Sequence, residues 1–228
     1  MIEPVSTRDT HGYGHFCALA KALERVGDRW TLLVVRDLLL GPKRFTDLMD
    51  RLAGVTPKTL TQRLRDLEAD RLPGRREVWY RLTAAGEDLA PALEELLLWG
   101  MRHLLTEPPG PDEPVHPEHV LRGLRLQLER ERVDAGSVRW AVNVPGTGNY
   151  FLIGDGTRWH LGMSTDPGRE DPPDITMTAT RSGLSRFLTA LPPRDSHLDE
   201  VEITGKPTAV RRFLKAIEVF PVGSGSAS

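Results

Sequence analysis

Residues 44–67 read RFTDLMDRLAGVTPKTLTQRLRDL, and about a dozen residues further on stands the strand-like VWYRLT of residues 78–83. The first stretch is two short amphipathic helices joined by a tight turn. Thr56-Pro57 opens the second of them, with a hydroxyl at the N-cap and a proline at the first helical position, where its missing N–H costs nothing. Helix, turn, helix, strand is the order of a winged helix-turn-helix. That fold's main use is to place one helix in the major groove of duplex DNA.

On the helix that begins at Pro57, Leu60, Leu64 and Leu67 fall on one side and must face a core. At about 100° per residue the opposite side carries Lys58, Thr59, Gln62, Arg65 and Asp66, with Thr61 and Arg63 on the flanks. Arginine pairs with guanine, glutamine with adenine and lysine with either. The unpaired N–H groups at the helix start, near Thr56, attract phosphate. Any solvated helix face can carry such residues, so the weight of the DNA reading comes from the flanking helix, turn and strand.

A chain of 228 residues suits one large or two small domains, each with its own core. The net charge of −2 gives no support for nucleic-acid binding, but the distribution does. Residues 41–83 hold 10 Lys/Arg against 6 Asp/Glu, and residues 106–228 hold 14 against 17. This asymmetry fits a DNA-binding part joined to a part that binds something else. No run approaches the length needed to cross a bilayer, and no leader of basic then apolar residues is visible, so a cytoplasmic protein is expected. The single cysteine, Cys17, excludes an internal disulfide framework and a cysteine-built zinc site. No glycine-rich phosphate loop, nucleophile elbow or metal-spaced His/Asp/Glu cluster appears, so no catalytic residue, metal or cofactor is expected.

The clearest seam is TEPPGPDEPVHPEH, residues 106–119, with five prolines, which neither continue a helix nor fill a central strand. It divides the chain into a winged domain (1–105), a linker (106–118), a second domain (119–221) and a flexible tail (222–228). Upstream, Leu19, Leu23, Val26, Trp30, Leu33, Val34 and Leu38 recur at helical spacing, with Gly27 and Asp28 ending one helix and capping the next. Thr83 is placed to cap one long helix running to about residue 105. Its Leu89, Leu93, Leu96, Leu97, Trp99 and Leu104 cover more than one face. Such excess suggests a dimer interface with the N-terminal helix; the other reading packs it under the second domain.

Downstream, VLRGLRLQLERERV is helical, followed by strands SVRWAVNV, NYFLIG, TRWHLGMS and DITMTAT, with a hairpin turn at Asp155-Gly156. SGLSRFLTAL, VEITG and KPTAVRRFLKAIEVF then read helix, strand, helix. The second domain is therefore expected to be α+β, a mostly antiparallel sheet with helices on one face.

Residues 15–105 resemble the HxlR family of bacterial winged-helix transcription regulators. The resemblance rests on a cysteine just before the first helix, Gly27-Asp28-Arg29-Trp30-Thr31, Arg44-Phe45, Gly54-Val55-Thr56, Leu60-Thr61-Gln62-Arg63-Leu64, Tyr80-Arg81-Leu82-Thr83 and Trp99-Gly100. It implies a homodimer on an inverted-repeat operator, the helix from Pro57 in each major groove, and phosphate contacts from Lys43, Arg44 and the wing. The wing is shorter than the family's usual hairpin between Leu72 and Tyr80, leaving Arg75 and Arg76 as its phosphate-reaching residues. Family members with a cysteine at the position of Cys17 resemble redox sensors. Here no second cysteine could resolve an oxidised thiol within the subunit, so only a bond between two copies or a small-thiol cap would serve, and the alternative is a structural cysteine.

Residues 119–221 resemble the sterol carrier protein type 2 fold, on Pro172-Pro173-Asp174-Ile175-Thr176-Met177-Thr178 before a helix and Val201-Glu202-Ile203-Thr204-Gly205 before the last one. The resemblance implies an apolar tunnel, with Trp140, Phe151, Trp159, Leu161, Met163, Met177, Phe187 and Phe213 as candidates to line it; alternatively they simply fill the core. The expected function is a sequence-specific repressor whose operator binding responds to a small apolar or amphipathic effector. The alternative is a lipid or metabolite carrier whose winged helix serves to dimerise it.

Overall fold

The computed structural model of the protein describes residues 12–67, 70–71, 78–105, 109–110, 113–134, 136–164, 171–189 and 199–218. It divides into two compact units, Met1–Leu93 and Glu94–Ser228. That boundary stands earlier in the chain than the proline-rich stretch at which the sequence reading divides it. The tail and the stretches 72–77 and 165–170 lie outside the described residues.

The first unit runs α1 (Ala18–Val26), α2 (Thr31–Leu38), β1 (Lys43–Arg44), α3 (Phe45–Arg51), α4 (Pro57–Asp66), β2 (Asp70–Arg71), β3 (Trp79–Arg81), α5 (Ala84–Glu87) and the start of α6 (Ala90–His103). Gly27 closes α1 by donating its N–H to the Leu23 carbonyl at 2.8 Å. Asp28 then accepts from the N–H groups of Trp30 (2.9 Å) and Thr31 (3.2 Å), partners that the first turn of a helix cannot find within itself. Between α3 and α4 the chain reverses through Gly54 at φ +87°, a conformation that costs a residue bearing a Cβ about 1–2 kcal/mol. Thr56 caps α4 through its hydroxyl, which accepts the Thr59 N–H at 3.2 Å, with Pro57 in the first position.

Val34, Val35, Leu38, Leu48, Leu52, Leu60, Leu64 and Leu82 bury their side chains in one core that fastens α2, α3 and α4. A buried ion pair adds to it: the fully enclosed Asp37 of α2 accepts from Arg51 Nε of α3 at 2.7 Å. The small sheet has order β1-β3-β2, with Lys43 opposite Tyr80, Arg44 opposite Trp79 and Asp70 opposite Arg81.

The long helix expected after Thr83 is two helices. Thr83 caps only α5, its hydroxyl accepting the Gly86 N–H at 3.3 Å, and α6 starts afresh at Ala90. Pro91 is the cause. In one continuous helix it would lack the N–H owed to the Glu87 carbonyl and its ring would collide with that group, whereas at the second position of a new helix it is harmless.

In the second unit α7 (Pro117–Arg130) precedes β4 (Ser137–Val144), β5 (Gly148–Asp155), β6 (Arg158–Ser164), β7 (Ile175–Ala179), α8 (Arg181–Thr189), β8 (Val201–Gly205) and α9 (Pro207–Ile217). The sheet order is β6-β5-β4-β7-β8; only β4 and β7 run parallel. Val138, Trp140, Val142 and Val144 of β4 alternate inward with Tyr150 and Leu152 of β5 and meet Leu121, Leu124 and Leu128 of α7, Leu184 and Phe187 of α8 and Phe213 of α9. Leu98 and Met101 of α6 join this core. Gly154 is needed where a Cβ would stand 3.1 Å from the Trp159 ring. Helix α7 begins three residues before the expected Val120, because Pro117 suits a first helical position; His116 is thus its N-cap and His119 lies in its first turn rather than in a linker. The β5–β6 hairpin turns on Gly156 and Thr157, with Asp155 paired to Arg158, one residue later than expected.

Candidate nucleic-acid interface

Helix α4 buries Leu60 and Leu64 and presents its other side outward. Lys58 and Arg65 are exposed there and make no hydrogen bond or ion pair among the described residues. Their charge is open to an incoming phosphate or base edge. The hydroxyls of Thr56 and Thr59 face each other at 2.8 Å and are engaged in the cap. Gln62 is half-buried, its Nε2 donating to Asp66 Oδ1 at 2.8 Å. Arg63 does not point with Lys58 and Arg65. Its Nε stands 3.1 Å from Asp28 Oδ1 and its Nη1 3.3 Å from Asp66 Oδ2, so it is drawn to the α2 side of the helix.

Lys43 and Arg44 lie on β1 beside the small sheet. Lys43 Nζ donates to the Gly41 carbonyl at 3.2 Å. Arg44 grips Asp47 through Nη2 at 2.8 Å and lays its guanidinium over the Trp79 ring at 5.9 Å. The Asp47 carboxyl is held below the usual carboxylate range, first by the hydrogen bond from the Arg44 side chain. An Arg44 contact to phosphate would therefore compete with Asp47. Arg75 and Arg76 lie outside the described residues.

Three acidic residues matter here that the candidate set omits: Asp47, Asp66 and Asp28. The spacing of Gln62 and Arg63 from Asp66, four and three positions on one helix, is a legible signal for their contacts. Asp28 is read only as a cap; its ion pair to Arg63 joins residues far apart in sequence, and no local pattern announces it.

Cys17 is the N-cap of α1 and is exposed. Backbone N–H groups of Ala20 and Leu19 hold its thiol below the usual cysteine value. Around it Tyr13, Phe16, Leu19 and Leu23 are all exposed, and no residue of α1 is buried.

The apolar residues named in the second unit do not all meet. Trp140, Trp159, Met177, Phe187 and Phe213 are fully buried on the helix-covered side, with the Trp140 ring 4.6 Å from that of Trp159 and 5.0 Å from that of Phe213. Leu161 packs against them, half-buried. Trp159 is anchored as well by its indole N–H, which donates to the Val133 carbonyl at 3.1 Å. Phe151 is on the opposite face of the sheet: its parity differs from that of Tyr150 and Leu152, and it lies under the Arg139 guanidinium at 4.0 Å. Met163 shares the inner parity but is 65% exposed near the end of the edge strand β6. Neither belongs with the enclosed set. His160 is exposed and opposite Ile153, away from that core.

Among the described residues no group of His, Cys, Asp and Glu is arranged to hold a metal ion, and no helix is long and apolar enough to cross a membrane.

The family described as HxlR-like helix-turn-helix matches residues 25–108. The Bacillus subtilis HTH-type transcriptional regulator YkvN is 37% identical over 112 residues, covering 46% of this chain and 95% of YkvN. An HTH-type transcriptional regulator of Mycobacterium tuberculosis is 43% identical over 103 residues, covering 41% of this chain; the chain spans 63% of that relative's length. The reduced form of the B. subtilis regulator YodB aligns at 28% identity with a TM-score of 0.34, covering 40% of this chain and 96% of YodB.

Proposed function

The chain belongs to the HxlR-like helix-turn-helix family, and on that premise we propose that it is a sequence-specific transcription repressor that binds an inverted-repeat operator as a homodimer. Its relatives are named as transcriptional regulators, and it is a regulator rather than an enzyme. The observation that carries the finer reading is the outward side of α4. There Lys58, Gln62 and Arg65 stand together on a helix whose N-terminus is capped and whose opposite side is locked in the core. In this reading α4 enters the major groove, Arg65 and Gln62 meet base edges, and Lys58, Lys43 and Arg44 meet phosphates.

Dimer formation is supported by exposed apolar side chains on and beside two helices: Phe16, Leu19 and Leu23 at α1, and Leu96, Trp99 and Leu104 at α6. Stretches of this kind mark interaction surfaces more often than plain solvent-facing ones. The second unit is the effector module of this proposal, a sterol-carrier-like sheet and helices with the Trp140, Trp159 and Phe213 cluster at its centre. Cys17 is its candidate thiol sensor, through a bond between two copies or a small-thiol cap.

Selection of bound genomic fragments by the full chain, followed by titration of the winning duplex against salt, tests the reading. Enrichment of one inverted repeat is expected, with affinity falling steeply as salt rises because each neutralised phosphate releases counterions. Fragments recovered without a common sequence would instead favour the carrier alternative.

A further inference from the structure

We infer that Asp66 is a positioning residue that presets Gln62 to read an adenine, and that Arg63, seated on Asp28, holds Asp66 in that role. The inference rests on the proposed placement of α4 in the major groove and adds which base its glutamine selects and what fixes the choice.

The chain of contacts is short and directional. An ionised carboxylate can only accept hydrogen bonds, so the 2.8 Å contact between Gln62 and Asp66 Oδ1 must use the amide nitrogen. That assigns the amide, whose two ends would otherwise be interchangeable. The oxygen Oε1 and the second N–H of Nε2 make no hydrogen bond among the described residues, which leaves one acceptor beside one donor. Adenine offers the complement in the major groove, a donor at N6 and an acceptor at N7. Guanine offers two acceptors there and cannot satisfy the pair.

Asp66 needs its own support, because a carboxylate on a DNA-facing helix repels phosphates and tends to turn away. Its second oxygen is met by Arg63 Nη1 at 3.3 Å, and only 15% of its side chain is exposed. Arg63 Nε in turn stands 3.1 Å from Asp28 Oδ1, an ion pair without hydrogen-bond geometry. Asp28 is immobilised where α1 gives way to α2 by the N–H groups of Trp30 and Thr31 and by the Thr31 hydroxyl. The glutamine is thus tied, through two carboxylates and one guanidinium, to the backbone of the helix behind it. A side chain ordered before binding gives up less rotamer freedom on binding, so the arrangement favours the matching base.

The test uses the full chain and a duplex library randomised across both half-sites, read for wild type, Gln62→Ala, Asp66→Ala, Asp66→Asn and the double variant Gln62→Ala/Asp66→Ala. Wild type should prefer adenine at one position of each half-site, and Gln62→Ala should reduce that preference by roughly 5- to 150-fold. Asp66→Ala should lose most of the same preference at the same position, and the double variant should lose no more than Gln62→Ala. Asp66→Asn still offers an oxygen to Gln62 Nε2 and should keep the larger part, which a general weakening of the helix would not allow. The inference is overturned if Asp66→Ala leaves the adenine preference intact, if it weakens all positions equally, or if the position governed by Gln62 selects another base. If wild type selects no sequence, the groove placement of α4 itself fails; loss confined to the Asp66 arms leaves that placement standing.

Discussion

Asp37 is fully buried, with Arg51 Nε at 2.7 Å and Arg36 Nη2 at 2.9 Å from its two oxygens. Removing one partner of such a group strands the others, so Asp37→Ala should destabilise the first unit by roughly 3–5 kcal/mol, measured by urea unfolding. A loss of under about 1 kcal/mol, the range of exposed pairs, would show that the pair contributes little. Cys17 calls for a different measurement. Its thiol is exposed and held low by the N–H groups of Ala20 and Leu19, so the thiolate persists to lower pH than in a free cysteine. The pH midpoint of its alkylation rate should therefore lie below that of cysteine in an unstructured peptide, and an equal or higher midpoint would remove the basis for a sensing role. Helical angle alone places Lys58 and Arg65 on the outward side of α4, and both stand exposed there. Arg63 shares their chemistry but is diverted by Asp28, and a flank position cannot reveal a partner thirty-five residues back in the chain.

Among the elements, the turn between α3 and α4 sets how the second helix leaves the first. Gly54 adopts φ +87°, and the nearest atom to an added Cβ is the Trp30 ring, 4.0 Å away. The obstacle to substitution is therefore backbone conformation, not space. Gly54→Ala should cost about 1–2 kcal/mol in thermal unfolding and Gly54→Asn clearly less, because asparagine tolerates the left-handed region better. Equal losses would point to crowding instead. Element types were legible wherever periodicity was strong, as in α4, α7 and the β4–β6 meander. The failures have local causes. Leu89 through Leu104 keep a helical rhythm across Pro91, so apolar spacing hid a break that the missing N–H imposes. Residue type groups Phe151 with the inner aromatics, while strand parity sends it to the other face beside Arg139.

At the scale of the molecule, the described residues form two cores, one built on Leu48, Leu60 and Leu64 and the other on Trp140, Trp159 and Phe213. Charge asymmetry and the change from helical to alternating rhythm announced that division. The boundary at Leu93 was not announced, because α6 follows the winged segment without a change in composition. The parallel pairing of β4 with β7 has a consequence for how fast the second core can assemble. Strands β4, β5 and β6 are joined by short hairpins and can pair as soon as they are made. The β4–β7 contact must first bring together residues as distant as Arg139 and Asp174, which are 35 positions apart and hydrogen-bonded at 2.8 Å. Closing that loop costs chain entropy before any pairing energy returns. In refolding of the full chain, Leu152→Ala in the meander should therefore slow the folding limb, whereas Ile203→Ala in β8 should act mainly on the unfolding limb. The reverse assignment would mean that the far edge of the sheet forms first, and that α9 brings Phe213 to Trp140 before the hairpins close.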